Sequence, residues 1–336
     1  MKRGVLVYDV DGLNPYGREL AALLQANGVR ARAVTTVDAE WRPPGSVAAL
    51  PANRHRPGKA RQLGALLRGL LVTLRAVRRG EVVVVVLTRG VLDELALAAF
   101  ATVGRVVVVV HDPVPKQPRP VARRLSYGAL VRGAGVRVAH SAGLAALVGR
   151  PTVVCRHLPY RAWCADNDAV GPGADGALLV LGHLRPDKGL DRLPAALAGA
   201  DGARVLVCGK GSLDPALRAA LAEVAAVDDR SATAFATDAE VAAALREAKV
   251  LVAPYRAVSQ SGSVAMALSA GLAVVAYDTG ALGTLPGVVA VPDGDAAAFA
   301  AAVTAALRDE RPRVDVEQWA RDSAAEWLRA LDRATT

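Results

Sequence analysis

A chain of 336 residues, 52 % hydrophobic and 22 % charged, is long enough for about two domains with cores of their own. Its apolar runs fall far short of the ~20 residues a bilayer span needs, and Asp9 and Asp11 interrupt the start where a secretion signal would run, so a cytosolic protein is expected. The net charge of +9 calls for an anionic partner, and three cysteines (Cys155, Cys164, Cys208) fit neither a zinc-site spacing nor a disulfide framework.

Along the chain, short β-branched runs alternate with Ala/Leu-rich stretches of helical spacing. Residues 5–8 read as a strand leading to a helix over 18–25. A basic amphipathic helix follows between Arg54 and Arg79. Leu63, Leu66, Leu67, Leu70, Leu71, Leu74 and Val77 recur at helical intervals, with Arg61, Arg68, Arg75 and Arg79 on another face. Strands at 82–87, 106–110 and 136–139 precede helices at 92–102, 121–130 and 142–148. Residues 165–176, rich in Asp, Gly and Pro, read as a linker. Strands then recur at 178–181, 205–208, 250–253 and 274–277, the first three followed by helices at 190–197, 216–224 and 264–270. A last helix over 316–332 would suit packing back on the first domain. This alternation predicts an α/β chain with parallel sheets covered on both faces. The expected domains are 1–164 and 177–336, joined by the linker at 165–176.

The charge divides at the same place. Residues 1–165 carry 25 Lys/Arg against 9 Asp/Glu, and residues 166–336 carry 16 against 23. No acidic residue occurs between Asp112 and Asp166. Lys116, Arg119, Arg123, Arg124 and Arg132 form a second basic group after the strand at 106–110. So basic a half suits an anionic membrane surface, each nearby cation contributing ~1 kcal/mol, or a phosphorylated, lipid-linked acceptor. Nucleic acid ranks well below, because no reader fold is recognisable and aromatics for stacking are few.

Three segments of the second half suit a phosphate ligand. Gly182 ends a strand, and Arg185 and Lys188 follow it just before a helix start, where free amides and the helix dipole favour an anion. Gly209 and Gly211 bracket a turn after the next strand, and glycine permits close backbone approach. Pro254, Tyr255 and Arg256, then Ser259, Gln260, Ser261 and Gly262, lead from a third strand into a helix; hydroxyls, an amide and bare N–H groups there can face a phosphate or a sugar. Each has a bland alternative: a solvated turn, a tight βα turn, a serine N-cap. All three fall at the carboxyl ends of successive strands, the edge where open α/β sheets bind ligands.

This order and spacing, from Gly182 to Gly271, resembles the group 1 (family 4) glycosyltransferases of the GT-B fold. The resemblance implies two Rossmann-like domains facing a cleft. It implies a nucleotide diphosphate sugar as donor, no further cofactor or metal, and retention of anomeric configuration. It puts Arg185 and Lys188 on the donor diphosphate, Gly209 and Gly211 on the glycine turn, residues 238–245 near the base, and the 259–262 loop in a branch that writes PY and QSG. Two glutamates usual in the family are replaced by Val258 and Met266.

In the first half, Gly12, Asn14 and Tyr16 follow the first strand, where GT-B enzymes place a loop near the donor sugar. Asp9-Val10-Asp11 spells a metal motif of the other glycosyltransferase fold and is set aside on architecture. His111, at the exit of a central strand, matches a histidine that contacts the transferred sugar, with Asp112 beside it; His140 and His157 occupy neighbouring strand exits. The expectation is a sugar transferase building a cell-envelope glycan or glycolipid, peripheral on the inner face of the cell membrane through the 54–79 region. The alternative is a non-catalytic or weakly active paralogue that binds a glycan or membrane in an assembly.

Overall fold

The structure, a computed structural model, describes residues 4–52, 58–113, 120–171, 176–198, 203–308 and 313–335. Arg54, Lys116 and Arg119 of the expected basic groups lie outside them. The chain divides into two compact units, Met1–Leu158 with Ala320–Thr336, and Pro159–Trp319.

Among the described residues, the first unit is built on seven parallel strands: β1 (Gly4–Asp9), β2 (Arg30–Thr36), β3 (Val47–Leu50), β4 (Val82–Leu87), β5 (Arg105–Val109), β6 (Val136–Ala139) and β7 (Val153–Val154). They lie in the order β3-β2-β1-β4-β5-β6-β7. The helices are α1 (Tyr16–Ala26), α2 (Lys59–Arg78), α3 (Val91–Val103), α4 (Val121–Gly133) and α5 (Ala142–Leu147). β4 and β5 are nearly unbroken valine because helices cover both faces of a parallel sheet. Leu6, Tyr8, Val83, Val85, Val106 and Val108 meet Leu97 and Leu130 from α3 and α4 in one core.

Among the described residues, the second unit holds six parallel strands: β8 (Ala177–Leu181), β9 (Arg204–Lys210), β10 (Ala226–Ala232), β11 (Ala248–Ala253), β12 (Ala273–Tyr277) and β13 (Val288–Val291). Their order is β10-β9-β8-β11-β12-β13, so the direction of winding reverses between β8 and β11. Its helices are α6 (Arg161–Asp166), α7 (Leu193–Leu197), α8 (Pro215–Ala222), α9 (Asp238–Glu247), α10 (Gly262–Ser269) and α11 (Ala296–Leu307). A final helix, α12 (Val316–Arg333), contributes its part from Ala320 onward to the first unit. There the Arg156 guanidinium pairs with Asp322 at 3.2 Å and Glu326 at 2.7 Å, fixing α12 beside the exit of β7.

Three expectations change. The units meet in sequence at Leu158 and Pro159, ahead of the expected linker at 165–176. Trp163 and Cys164 of α6 are buried, and the Gly171 amide donates to the Ala270 carbonyl, so residues 163–171 pack within the second unit. Residues 172–175 of the expected linker lie outside the described residues. The helix expected over 190–197 is a 3-10 turn, Leu190–Arg192, followed by the short α7, and another 3-10 turn, Pro186–Lys188, precedes it. Gly189, left-handed at φ +61°, separates the two turns. Finally, the leucine stripe of α2 is not all core. Leu66 and Val77 are buried, whereas Leu63, Leu67 and Leu71 stand exposed.

Candidate functional site

In the second unit, the exits of β8 and β11 flank the reversal of strand order, where such sheets leave a crevice. β8 ends at Gly182, whose amide donates to the Cys208 carbonyl at 3.0 Å. A Cβ on Gly209 would overlap the Gly182 carbonyl oxygen, and one on Gly211 would stand 2.9 Å from Leu184 Cβ. The glycine turn after β9 is therefore demanded by packing of one strand exit on another.

Arg185 and Lys188 sit in the loop after β8. The Arg185 guanidinium forks onto Asp187, Nε to Oδ1 and Nη2 to Oδ2 both at 2.9 Å. Its side chain is 42 % exposed, so the pair is well solvated and weak. Lys188 turns to the loop after β11 and holds Nζ 3.7 Å from the centroid of the buried Tyr255 ring. The same two loops are joined at three further points. The Arg256 amide donates to the Asp187 carbonyl at 3.0 Å, the Arg256 guanidinium pairs with Asp191, and Gly189 lies where a side chain would strike the Pro254 carbonyl.

Past Tyr255, Ser259 and Gln260 are half-buried and lead to Ser261, which is buried. The Ser261 hydroxyl accepts from the Val264 amide as N-cap of α10, and Gly262 is the first helical residue. Ser261 is thus committed to the helix, while the positive end of α10 lies at the carboxyl edge of the sheet. Val258 and Met266, standing for the glutamates, are both buried and apolar. The Val258 carbonyl closes on Gly280, left-handed at φ +59°.

A neighbouring group escaped the sequence reading. The Phe235 ring is partly exposed after β10, with Lys210 Nζ 4.2 Å above it and the His183 ring 6.0 Å away. Burial, then the Arg185 and Lys210 charges, push the His183 pKa below its ordinary value. Its signal was available: one of only three phenylalanines, just before the Thr237–Glu240 capping box.

In the first unit, the loop after β1 is ordered by its own carboxylates. Asp9 accepts from the Asp11 and Gly17 amides at 3.0 and 3.1 Å, and Asp11 accepts from those of Leu13 and Asn14 at 2.9 and 3.2 Å. The Asn14 side chain accepts in turn from the Tyr16 amide at 3.0 Å. Burial, then the neighbouring Asp11 charge, raises the Asp9 pKa well above the carboxylate range against the pull of the buried Arg18. Gly12 presses on Thr36, where a Cβ would overlap the hydroxyl. Asn14 and Gly12 accordingly shape the loop.

Tyr16 opens a cluster of rings. Its centroid lies 5.5 Å from His111 and 5.1 Å from both His140 and His157. The His111–His140 and His140–His157 separations are 5.5 and 5.3 Å. The sequence placed the three histidines at neighbouring strand exits, and the order β5-β6-β7 brings them together. His140 Nδ1 faces the Cys155 carbonyl at 2.8 Å and His157 Nδ1 the Leu158 carbonyl at 2.9 Å. A carbonyl only accepts, so each Nδ1 carries the proton and each Nε2 is an acceptor. Burial, then an adjacent imidazole, pushes both pKa values down to about 3. Both rings are neutral at pH 7.

With that geometry in place, residues 175–309 match the family model described as "Glycosyl transferases group 1". Over that span the second unit is similar to the group 1 glycosyl transferases. The resemblance drawn from the segment between Gly182 and Gly271 agrees with it. Among solved structures, the chain is similar to sucrose-phosphate synthase from Thermosynechococcus elongatus (TM-score 0.60, 16 % identity, 99 % of this chain and 94 % of that one). It is also similar to HepE of Anabaena in complex with UDP and glucose (0.55, 15 %, 98 % and 95 %). A third is the pneumococcal O-GlcNAc transferase GtfA with UDP and GlcNAc (0.59, 10 %, 99 % and 99 %). At such identities the likeness is one of fold, and the fold is the GT-B type of two parallel α/β sheets. No curated protein matches the chain significantly.

Proposed function

We propose that this glycosyltransferase moves a sugar from a nucleotide diphosphate sugar to an anionic or lipid-linked acceptor, with retention and without a metal. One observation carries the donor assignment. In a group 1 domain, the loops after β8 and β11 interlock at the switch point and hold Lys188 on Tyr255 beside the positive end of α10. A cation and free amides fixed there suit the diphosphate leaving group, whose charge grows as the glycosidic bond breaks. Arg185 joins them by exchanging Asp187 for a phosphate. Ser259 and Gln260 contribute polar groups to the same edge; Gly209, Gly211 and Gly262 let the backbone approach. UDP is the first nucleotide to try, since two of the similar structures hold it. His111 is assigned to the transferred sugar, with Gly12, Asn14 and Tyr16 shaping the loop beside it.

The acceptor assignment rests on α2. Leu63, Leu67 and Leu71, four residues apart, form one exposed row, and Arg68, Arg75 and Arg78 are exposed beside it. Among the described residues no helix is long and apolar enough to cross a membrane. Such a helix suits the surface of an anionic bilayer, which would put the protein on the inner face of the cell membrane. The second reading, a paralogue that binds without turnover, is favoured by the apolar pair Val258 and Met266.

The test is product formation, by mass spectrometry, from a panel of nucleotide sugars with membrane lipid extract as acceptor. Turnover that falls at least a hundredfold in the double variant Arg185→Ala/Lys188→Ala supports the assignment. Turnover within about threefold of the parent removes the phosphate role, a difference of under ~1 kcal/mol. No product from any donor favours the second reading.

A further inference from the structure

A cavity of about 410 Å³ opens between α4 and α5 of the first unit, and Val110 of its wall directly precedes His111 in the chain. That volume lies in the ~300–1,000 Å³ range of small-molecule sites. Its walls include Val110, Val131, Leu147 and Val148. Three exposed guanidinium side chains also line it, Arg124 and Arg132 from α4 and Arg150 from the loop after α5. The Arg132 head folds back along α4 to lie 3.2 Å from where a Cβ of Gly128, also a lining residue, would stand.

No carboxylate answers these charges. The chain has no acidic residue between Asp112 and Asp166, and among the described residues none of the three arginines forms a side-chain ion pair. The contrast is Arg123, one residue away, which is held by the buried Glu94 at 3.2 Å. Arg150 instead faces another cation: the Arg137 pKa is lowered by burial and then by the Arg150 charge. Val121 and Leu125 on α4 and Leu147 on α5 are exposed around the same region.

We infer that the α4–α5 cavity binds the phosphate headgroup of an anionic membrane lipid, its guanidinium groups on the phosphate and its valines against the first methylenes. Guanidinium forks match phosphate oxygens two at a time, and a phosphomonoester carries close to two charges at neutral pH. Inorganic phosphate would use the arginines but gain nothing from the apolar wall. The site adds a headgroup pocket to the membrane contact proposed for α2, and rests on that reading for its source of ligand.

The experiment uses the full chain and three probes. Dihexanoyl phosphatidic acid, a soluble short-chain lipid, and inorganic phosphate are each titrated by NMR or calorimetry against the parent, Arg124→Ala/Arg132→Ala/Arg150→Ala, and Arg68→Ala/Arg75→Ala/Arg78→Ala. Phosphatidylcholine vesicles containing either phosphatidic acid or phosphatidylglycerol are then tested by flotation. The expected result is saturable binding of the soluble lipid, at least tenfold weaker in the cavity variant and unchanged in the α2 variant. The cavity variant should also lose the preference for phosphatidic acid vesicles, while the α2 variant binds both vesicles less. Equal binding by parent and cavity variant, no binding of the soluble lipid, or equal affinity for inorganic phosphate overturns the inference. Binding of the soluble lipid without flotation of either vesicle leaves the cavity assigned and removes the α2 contact instead.

Discussion

Lys188 holds its ammonium 3.7 Å from the centre of the Tyr255 ring, so a cation of one loop rests on an aromatic face of another. A lysine on its four-carbon stem would otherwise sample many positions, and the ring removes that freedom at the site proposed for the diphosphate. Tyr255→Leu should weaken UDP binding by roughly fivefold, corresponding to about 1 kcal/mol of cation–π attraction. Tyr255→Phe should bind as the parent does. Calorimetric titration of the three proteins checks both; equal weakening in Leu and Phe variants points to the hydroxyl instead.

Arg185 makes a prediction of opposite sign. Its two donors toward Asp187 are those a phosphate would take. Asp187→Asn removes the competing charge and should tighten nucleotide diphosphate binding by up to about fivefold, since exposed pairs are worth ~1 kcal/mol or less. Adding Arg185→Ala should abolish the gain. The four affinities form a double-mutant cycle, and additivity within it would mean that Arg185 does not meet the phosphate.

The glycines at the strand exits should behave as structural residues. Gly209→Ala drives a Cβ into the Gly182 carbonyl, and Gly280→Ala into that of Val258, both from backbones in the left-handed half of conformational space. Each should cost more than ~3 kcal/mol or prevent folding. Gly271→Ala has open space at its Cβ, so only its φ of +88° opposes it, and a loss of ~1–2 kcal/mol is expected. Denaturant midpoints rank the three, and a Gly209→Ala protein as stable as the parent contradicts the close approach.

The ring cluster predicts acid sensitivity. His140 and His157 are neutral in the folded protein, with pKa values near 3, against about 6.5 when unfolded. Below pH 6.5 only the unfolded chain takes up these protons, so their contribution is intact above that pH and lost as pH falls toward 3. The slope approaches ~1.4 kcal/mol per pH unit for each histidine below pH 6.5, or about 3 kcal/mol for both between pH 6.5 and 5. Urea midpoints over that interval test it, and His140→Gln/His157→Gln should flatten the curve. An unchanged slope in the double variant would assign the acid sensitivity to other groups.

The strands legible in the sequence were the buried ones. β4, β5, β8 and β11 are runs of aliphatic residues flanked by turn signals. The polar edge strand β10, Ala226–Ala232, has no such run, because only β9 pairs with it. The loops proposed for the phosphates were legible as positions, since a cation or hydroxyl after a strand and before a helix has a known geometry. Their side-chain partners were not. Nothing in the spacing of Arg185 and Lys188 tells that one turns to Asp187 and the other to Tyr255. The same holds for Tyr16, which sheet order alone brings onto three histidines from separate strand exits.

The central claim is that the interlocked loops of the second unit bind a nucleotide diphosphate through Lys188. Isothermal titration of the parent and Lys188→Ala with UDP, GDP, ADP and TDP tests it most directly. At least one nucleotide should bind saturably, and Lys188→Ala should weaken it tenfold or more, about 1.4 kcal/mol. Failure of all four to bind, or equal affinity for the parent and Lys188→Ala, would contradict it.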